Sequence, residues 1–175
     1  MPYKGLIMAI LISPMIVPLI ITAAGMFFFY ARINLVYSFT GIILAHVALA
    51  TPFVVITVTA TLVGFDMNMV KASQSLGARP VRTFFKVIMP LILPGVISGA
   101  LFAFITSFDE VVIVMFMASL DQLTIPKQMW AGIRQEISPV ILCMATCLVI
   151  LSILLLTTVE LLRRRSEKLR GIKSR

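Results

Sequence analysis

The sequence predicts an all-α, polytopic transmembrane helical bundle, and three observations lead there. Of its 175 residues 60% are hydrophobic, and the mean hydropathy is +1.07, well above an ordinary soluble domain. The apolar residues gather into four runs, 6–30, 36–63, 91–120 and 140–162, each long enough for the roughly 20 helical residues that a hydrocarbon core about 30 Å thick demands. The cations lie outside those runs. A transmembrane barrel does not fit, because its strands need only alternating apolarity over about ten residues. The net charge of +8 does not indicate nucleic acid either, since a nucleic-acid binder carries its basic residues across a folded surface.

The first run is too long for the apolar core of a cleaved signal peptide. It ends in Phe27, Phe28, Phe29 and Tyr30, which suit an interfacial aromatic belt. Pro14 and Pro18 in this run, and Pro52 in the second, are expected to kink their helices, as neighbouring helices allow in a membrane. His46 in the second run is read as a hydrogen-bonded packing residue, because no acid lies near it in sequence.

Between the second and third runs lies a basic, interrupted segment, residues 66–90. Asp66 is placed to cap a helix over 67–76, and Gly77 to end it in the left-handed conformation. Pro80 suits the first turn of a second helix, in which Val81, Phe84, Phe85 and Ile88 share one side and Arg82 and Lys86, four apart, share another. From the residues alone, this angled pair is either a helix resting on lipid headgroups or a shaped knob.

Asp109 and Glu110 fall inside the third run, where an ionised acid costs about 2.5–3.5 kcal/mol on insertion scales. Neighbours on a helix point about 100° apart, and Thr106 can border a face with either acid. Two placements are open. In one, Asp109 flanked by Glu110 lines a path for a cationic solute. In the other, the helix ends near Phe108, and the acids sit at the outer mouth or pair with a cation on another span.

The fourth run holds Cys143 and Cys147 one turn apart, read as small apolar residues because two thiols alone satisfy no metal's usual ligand count. Trp130, in the loop before it, is an interface anchor. If the runs cross alternately, the fifteen Lys and Arg residues divide twelve to three. Lys4, the segment 66–90 and the tail lie on the rich side, with Arg32, Lys127 and Arg134 on the other. The positive-inside rule therefore puts both termini in the cytoplasm, with a basic tail over 166–175 against anionic headgroups.

Lys71-Ala72-Ser73, then Gly77, then Val87, Met89 and Pro90 resemble the EAA motif of ABC importer permeases, in which EAA, three residues, G, nine residues and I-x-L-P follow one another. Leu76, Ala78, Pro94-Gly95 and Gly99 extend the likeness. The resemblance implies that residues 1–165 are an ABC importer transmembrane domain. It makes residues 66–90 a coupling helix, with Lys71, Ala72, Ser73, Leu76, Gly77, Ala78 and Pro90 at the junction with a cytoplasmic ATPase subunit. Lys71 stands where the family usually has Glu, and Ser73 where it has Ala, so a charge is inverted at the expected interface. Residues 106–112, Ile125-Pro126 and Ile137-Ser138-Pro139 look like the spermidine and putrescine branch.

The implied partners are a second permease subunit, the ATPases and an extracytoplasmic substrate-binding protein meeting the loop over 121–136. No G-x-x-x-x-G-K-[ST] loop, metal-ligand cluster or activated-nucleophile arrangement occurs in the sequence, so this chain is expected to bind no ATP and no metal and to catalyse nothing itself. The family has six spans, and this chain is expected to lack the first two, as a truncated reading frame, a fragment or half of a split subunit. An ion-coupled secondary transporter and a noncatalytic scaffold or permease remnant are the competing readings. The first would show broken half-helices or inverted repeats.

Overall fold

The computed structural model describes residues 3–135 and 138–169. Glu136, Ile137 and the tail from residue 170 on lie outside the described residues. All regular elements among the described residues are helices: α1 (Lys4–Ile16), α2 (Leu19–Arg32), α3 (Phe39–Val63), α4 (Met67–Ser75), α5 (Pro80–Thr83), α6 (Met89–Phe108), α7 (Val112–Met117), α8 (Ile125–Gln135) and α9 (Pro139–Leu169). A π-helical turn, Phe84–Ile88, joins α5 to α6. Three helices are long and apolar enough to cross a membrane, Phe39–Val63, Pro80–Phe108 and Pro139–Thr158, and the bent pair α1–α2 makes up to four.

The first apolar run, expected as one kinked helix, is two helices at 109° to each other. Pro18 has no N–H to continue α1, and it pushes the residue before it out of the helical region. Val17 accordingly lies extended at φ −75°, ψ 134°. Pro14, by contrast, stays inside α1. The carbonyl it leaves without an N–H partner, that of Ile10, accepts instead from the Ser13 hydroxyl at 2.8 Å, the kind of local repair that membrane helices use.

The most extensive packing joins α3 to α6, and small residues permit it. A Cβ at Gly95 would collide with the Thr61 side chain, and one at Gly99 would come within 2.5 Å of Thr57 Oγ1 and 3.0 Å of Val54 Cα. The two glycines, four apart, form a G-x-x-x-G face that lets the backbones approach. Thr57 and Thr61 donate their hydroxyls to their own helix, to Phe53 O and Thr57 O at 2.9 Å each. They therefore bring no unpaired donor to the contact.

A second buried centre forms around the short α7. Ala23 of α2, Ala45 and Leu49 of α3, and Ile113 and Met117 of α7 are packed together. One end of the bundle is laced by backbone contacts. Tyr37 N–H donates to Met117 O at 2.9 Å, Gln122 Nε2 donates to Tyr37 O at 3.3 Å, and Lys127 Nζ donates to Ser119 O at 3.1 Å. In contrast, α9 rests on α6 and α8 with none of its apolar window buried in the chain.

Because Gly99 has backbone against it, Gly99→Val is expected to overpack the α3–α6 contact and cost about 1–3 kcal/mol of stability. Loss of folded protein on heating in detergent, compared with Ala100→Val at the neighbouring exposed position, measures the effect. Equal melting of the two variants contradicts it.

Candidate functional site

The basic segment folds as its residues predict. Asp66 caps α4, its side chain accepting from Asn68 N–H at 2.9 Å. Gly77 ends the helix at φ +79°, while its own N–H reaches Gln74 O at 2.9 Å and that of Ala78 reaches Ser73 O at 3.1 Å. The left-handed conformation turns the chain sharply into Pro80, the first residue of α5. Lys71, Ala72, Leu76 and Gly77 are exposed, whereas Ser73, Ala78 and Pro90 are half-buried. Leu76 is 89% exposed, a large apolar residue at the tip of the knob.

Ser73 has a partner that its place in the sequence does not reveal. Its Oγ lies 3.0 Å from Thr83 Oγ1 and donates to Val70 O at 2.9 Å. Thr83 is only 2% exposed, so this hydroxyl pair holds α4 at its angle to α5. The apolar side expected from Val81, Phe84, Phe85 and Ile88 is not covered by the rest of the chain, since Val81 and Phe85 stand exposed. Beyond it, the π turn breaks the ordinary spacing. Met89 N–H donates to Phe84 O, five residues back, immediately before Pro90, which has no N–H to donate.

The third apolar run does not form one helix over 91–120. The long helix runs from Pro80 to Phe108 and stops at the acids, so the helix does end near Phe108. Asp109 is the C-cap of α6, at φ −92° and ψ 3°. Glu110 turns back to cap α7, its Oε1 accepting from Ile113 N–H at 2.7 Å. That charge-assisted bond satisfies a helix-start donor which hydrocarbon could not, and it accounts for Glu110 being only 7% exposed while Asp109 is exposed.

Thr106, Asp109 and Glu110 do come together. They line a cavity of about 400 Å³ together with Leu19, at the start of α2, and Val112. The 109° break at Pro18 is therefore what brings α2 over the acids. Glu110 also reaches a second cavity of about 500 Å³ on its other side, shared with His46 and Ser107. His46 Nδ1 lies 2.8 Å from Ser107 Oγ, as a hydrogen-bonded packing residue should, yet an acid is close after all. Glu110 lines the same cavity as the ring, near in space though 64 positions away in sequence.

Among the described residues no three His, Cys, Asp or Glu side chains gather to hold a metal. Trp130 carries the Arg134 guanidinium over its ring, 5.5 Å from the centroid, a cation–π pair within α8.

Residues 2–168 match the family described as "Binding-protein-dependent transport system inner membrane component". Similar proteins include the spermidine/putrescine transport system permease protein PotC of Haemophilus influenzae, 30% identical over 164 residues covering 94% of this chain and 62% of that protein. The Escherichia coli K12 protein of the same description is 28% identical over 165 residues, 94% of this chain and 61% of its own length. The putrescine transport system permease protein PotI of E. coli K12 is 29% identical over 140 residues, 77% and 50% of the two chains. The chain thus spans less than two thirds of the length of these relatives. Since the family match runs from α1 into α9, through both the angled knob and the acid break, the chain belongs to the family of binding-protein-dependent transport system inner membrane components.

Proposed function

We propose that the chain is a membrane-spanning permease subunit of an ATP-driven importer for polyamines such as spermidine or putrescine, or for a related small cationic solute. The observation that carries this reading is the α4–α5 knob. It is exposed, rigidly turned at Gly77, braced by Ser73 and Thr83, and continuous through the π turn with the membrane-crossing α6. Such a lever passes a push at its tip to the far end of α6. There Asp109 and Glu110, with Thr106, offer negative charge to a cation. The names of the relatives support polyamines as the solute, and the acids suit them chemically.

In this reading Lys71, Ala72, Leu76, Gly77 and Ala78 dock into a cytoplasmic ABC ATPase, which binds and hydrolyses the ATP. A second permease subunit completes the pathway, and an extracytoplasmic binding protein delivers the solute near α8. Both termini and the knob face the cytoplasm, in accord with the distribution of Lys and Arg. ATPase closure favours one access state over the other, as any ligand-driven switch requires. The inverted charge at Lys71 either alters the coupling or is matched by an acid on the ATPase.

Proline cannot adopt the positive φ of Gly77. Gly77→Pro is therefore expected to abolish recovery of the ATPase with the solubilised permease while leaving its melting behaviour close to wild type; undiminished ATPase recovery rules out docking at the knob. At the other end of α6, Glu110→Gln keeps an oxygen to cap Ile113 N–H but removes the charge. Together with Asp109→Asn, it is expected to raise the KM for polyamine uptake roughly 10- to 100-fold, the scale of a lost charge-assisted hydrogen bond. Uptake kinetics identical to wild type in both variants remove the acids from the path.

A further inference from the structure

The foot of the long helix presents a surface that neither the knob nor the acid break uses. Thr83 turns toward α4, where its Oγ1 lies 3.0 Å from Ser73 Oγ. Val81 and Phe85, two positions before and after it, point about 200° away round the helix, and they stand 70% and 62% exposed. Phe84 packs edge-on against Phe85, with ring centroids 5.1 Å apart. Beside this apolar stripe run Arg82 and Lys86, four apart and both exposed. No acid occurs between Asp66 and Asp109; the first is engaged in capping α4, and the second lies at the far end of α6. The two cations therefore face outward with no acid of their own segment to meet them.

Helix length fixes the depth at which this surface lies. The 20 residues of α6 measure about 30 Å at 1.5 Å per residue, the thickness of a hydrocarbon core. Pro80–Ile88 then extends beyond the core into the headgroup layer, roughly 5–8 Å deep. Phe85 falls about 6 Å outside the core and Arg82 about 10 Å, within reach of the phosphates for a flexible cationic side chain. An apolar stripe flanked by unmatched cations at this depth complements a lipid that joins acyl chains to a negative headgroup. A soluble protein partner suits it less, because a stripe at headgroup depth already lies against lipid. We propose that this stripe is a docking site for an anionic phospholipid: Arg82 and Lys86 hold its phosphate, with the Arg82 guanidinium able to take two oxygens at once, while Val81 and Phe85 lie among the upper methylenes of its chains. In the orientation proposed above, the leaflet concerned is the cytoplasmic one, which carries the anionic lipid. The site stands whatever solute the chain passes, and it leaves the exposed tip of α4 to the ATPase.

Trp130 is the only tryptophan in the sequence, so Trp130→Phe combined with Phe85→Trp puts a single reporting indole on the stripe. In phosphatidylcholine nanodiscs, phosphatidylglycerol carrying brominated chains is expected to quench that fluorescence at a mole fraction several-fold lower than brominated phosphatidylcholine does, about five-fold for each cation engaged. Arg82→Gln with Lys86→Gln is expected to bring the two lipids level, whereas Arg82→Lys with Lys86→Arg keeps most of the preference. Lys71→Gln, which removes a cation from the knob rather than the stripe, is expected to leave it unchanged. Equal quenching by the two lipids overturns the assignment and leaves the stripe to a protein partner. So does a loss of preference in Lys71→Gln as complete as in the double variant, which marks a response to net charge alone. The lipid carried by the unaltered chain gives a second reading that needs no new indole. Purified from a bilayer of equal parts of the two lipids and weighed with its bound lipid in a mass spectrometer, that chain is expected to retain mainly phosphatidylglycerol, and Arg82→Gln with Lys86→Gln to retain both alike. Equal retention by the unaltered chain overturns the site too.

Discussion

The close approach of α6 to α3 is the contact on which the rest of the structure depends. Two glycines on α6 face Thr57, Thr61 and Val54 with no room for a Cβ, and in lipid such contacts must draw on packing because apolar burial offers little between helices. The same contact sets Ser107 against His46 and fixes the line along which α6 runs. At one end of that line is the α4–α5 knob, and at the other the acid break. The helix from Pro80 to Phe108 has 29 residues, on the order of 40 Å at 1.5 Å per residue. One rod thus joins the two places where the chain departs from a plain membrane helix.

Each departure is made safe by a side chain or by proline chemistry. A lipid-embedded chain must satisfy its backbone groups internally, so a break is tolerated only where something stands in for the missing bond. Ser13 does this for Ile10 and Glu110 does it for Ile113. The π turn accommodates Pro90 by passing its bond five residues back. Glu110 is consequently a residue with two duties. It completes the fold of α7, and it keeps one carboxylate at the boundary of two cavities.

The knob shows the same economy in polar solvent. Its shape rests on a capping carboxylate, one left-handed glycine and a hydroxyl pair, with little buried apolar surface. In the proposed importer, a rigid angle matters more than a large core, because the knob transmits displacement. Ser73, a departure from the usual family residue, acquires a physical role in the bond to Thr83.

The helical, membrane-spanning class was fully legible in the sequence, because hydropathy and run length depend on composition alone. So were the cap at Asp66, the turn at Gly77 and the start at Pro80, since each depends on the conformational limits of one residue. The extent of the first and third spans was not. Apolarity continues across Pro18 and beyond Phe108, and hydropathy does not report where a helix stops if the chain on both sides is greasy. The candidate trio Thr106, Asp109 and Glu110 was legible as residue types in an unusual setting, but which acid would be buried was not. The sequence alone determined which residues could break, cap or charge a membrane helix, because those are local properties of side chains and backbone. Only the tertiary structure decided that α2 folds back over the acids and that His46 meets Ser107 and Glu110 across 61 and 64 positions. Such meetings are made by helices packing against one another, and no local preference encodes them.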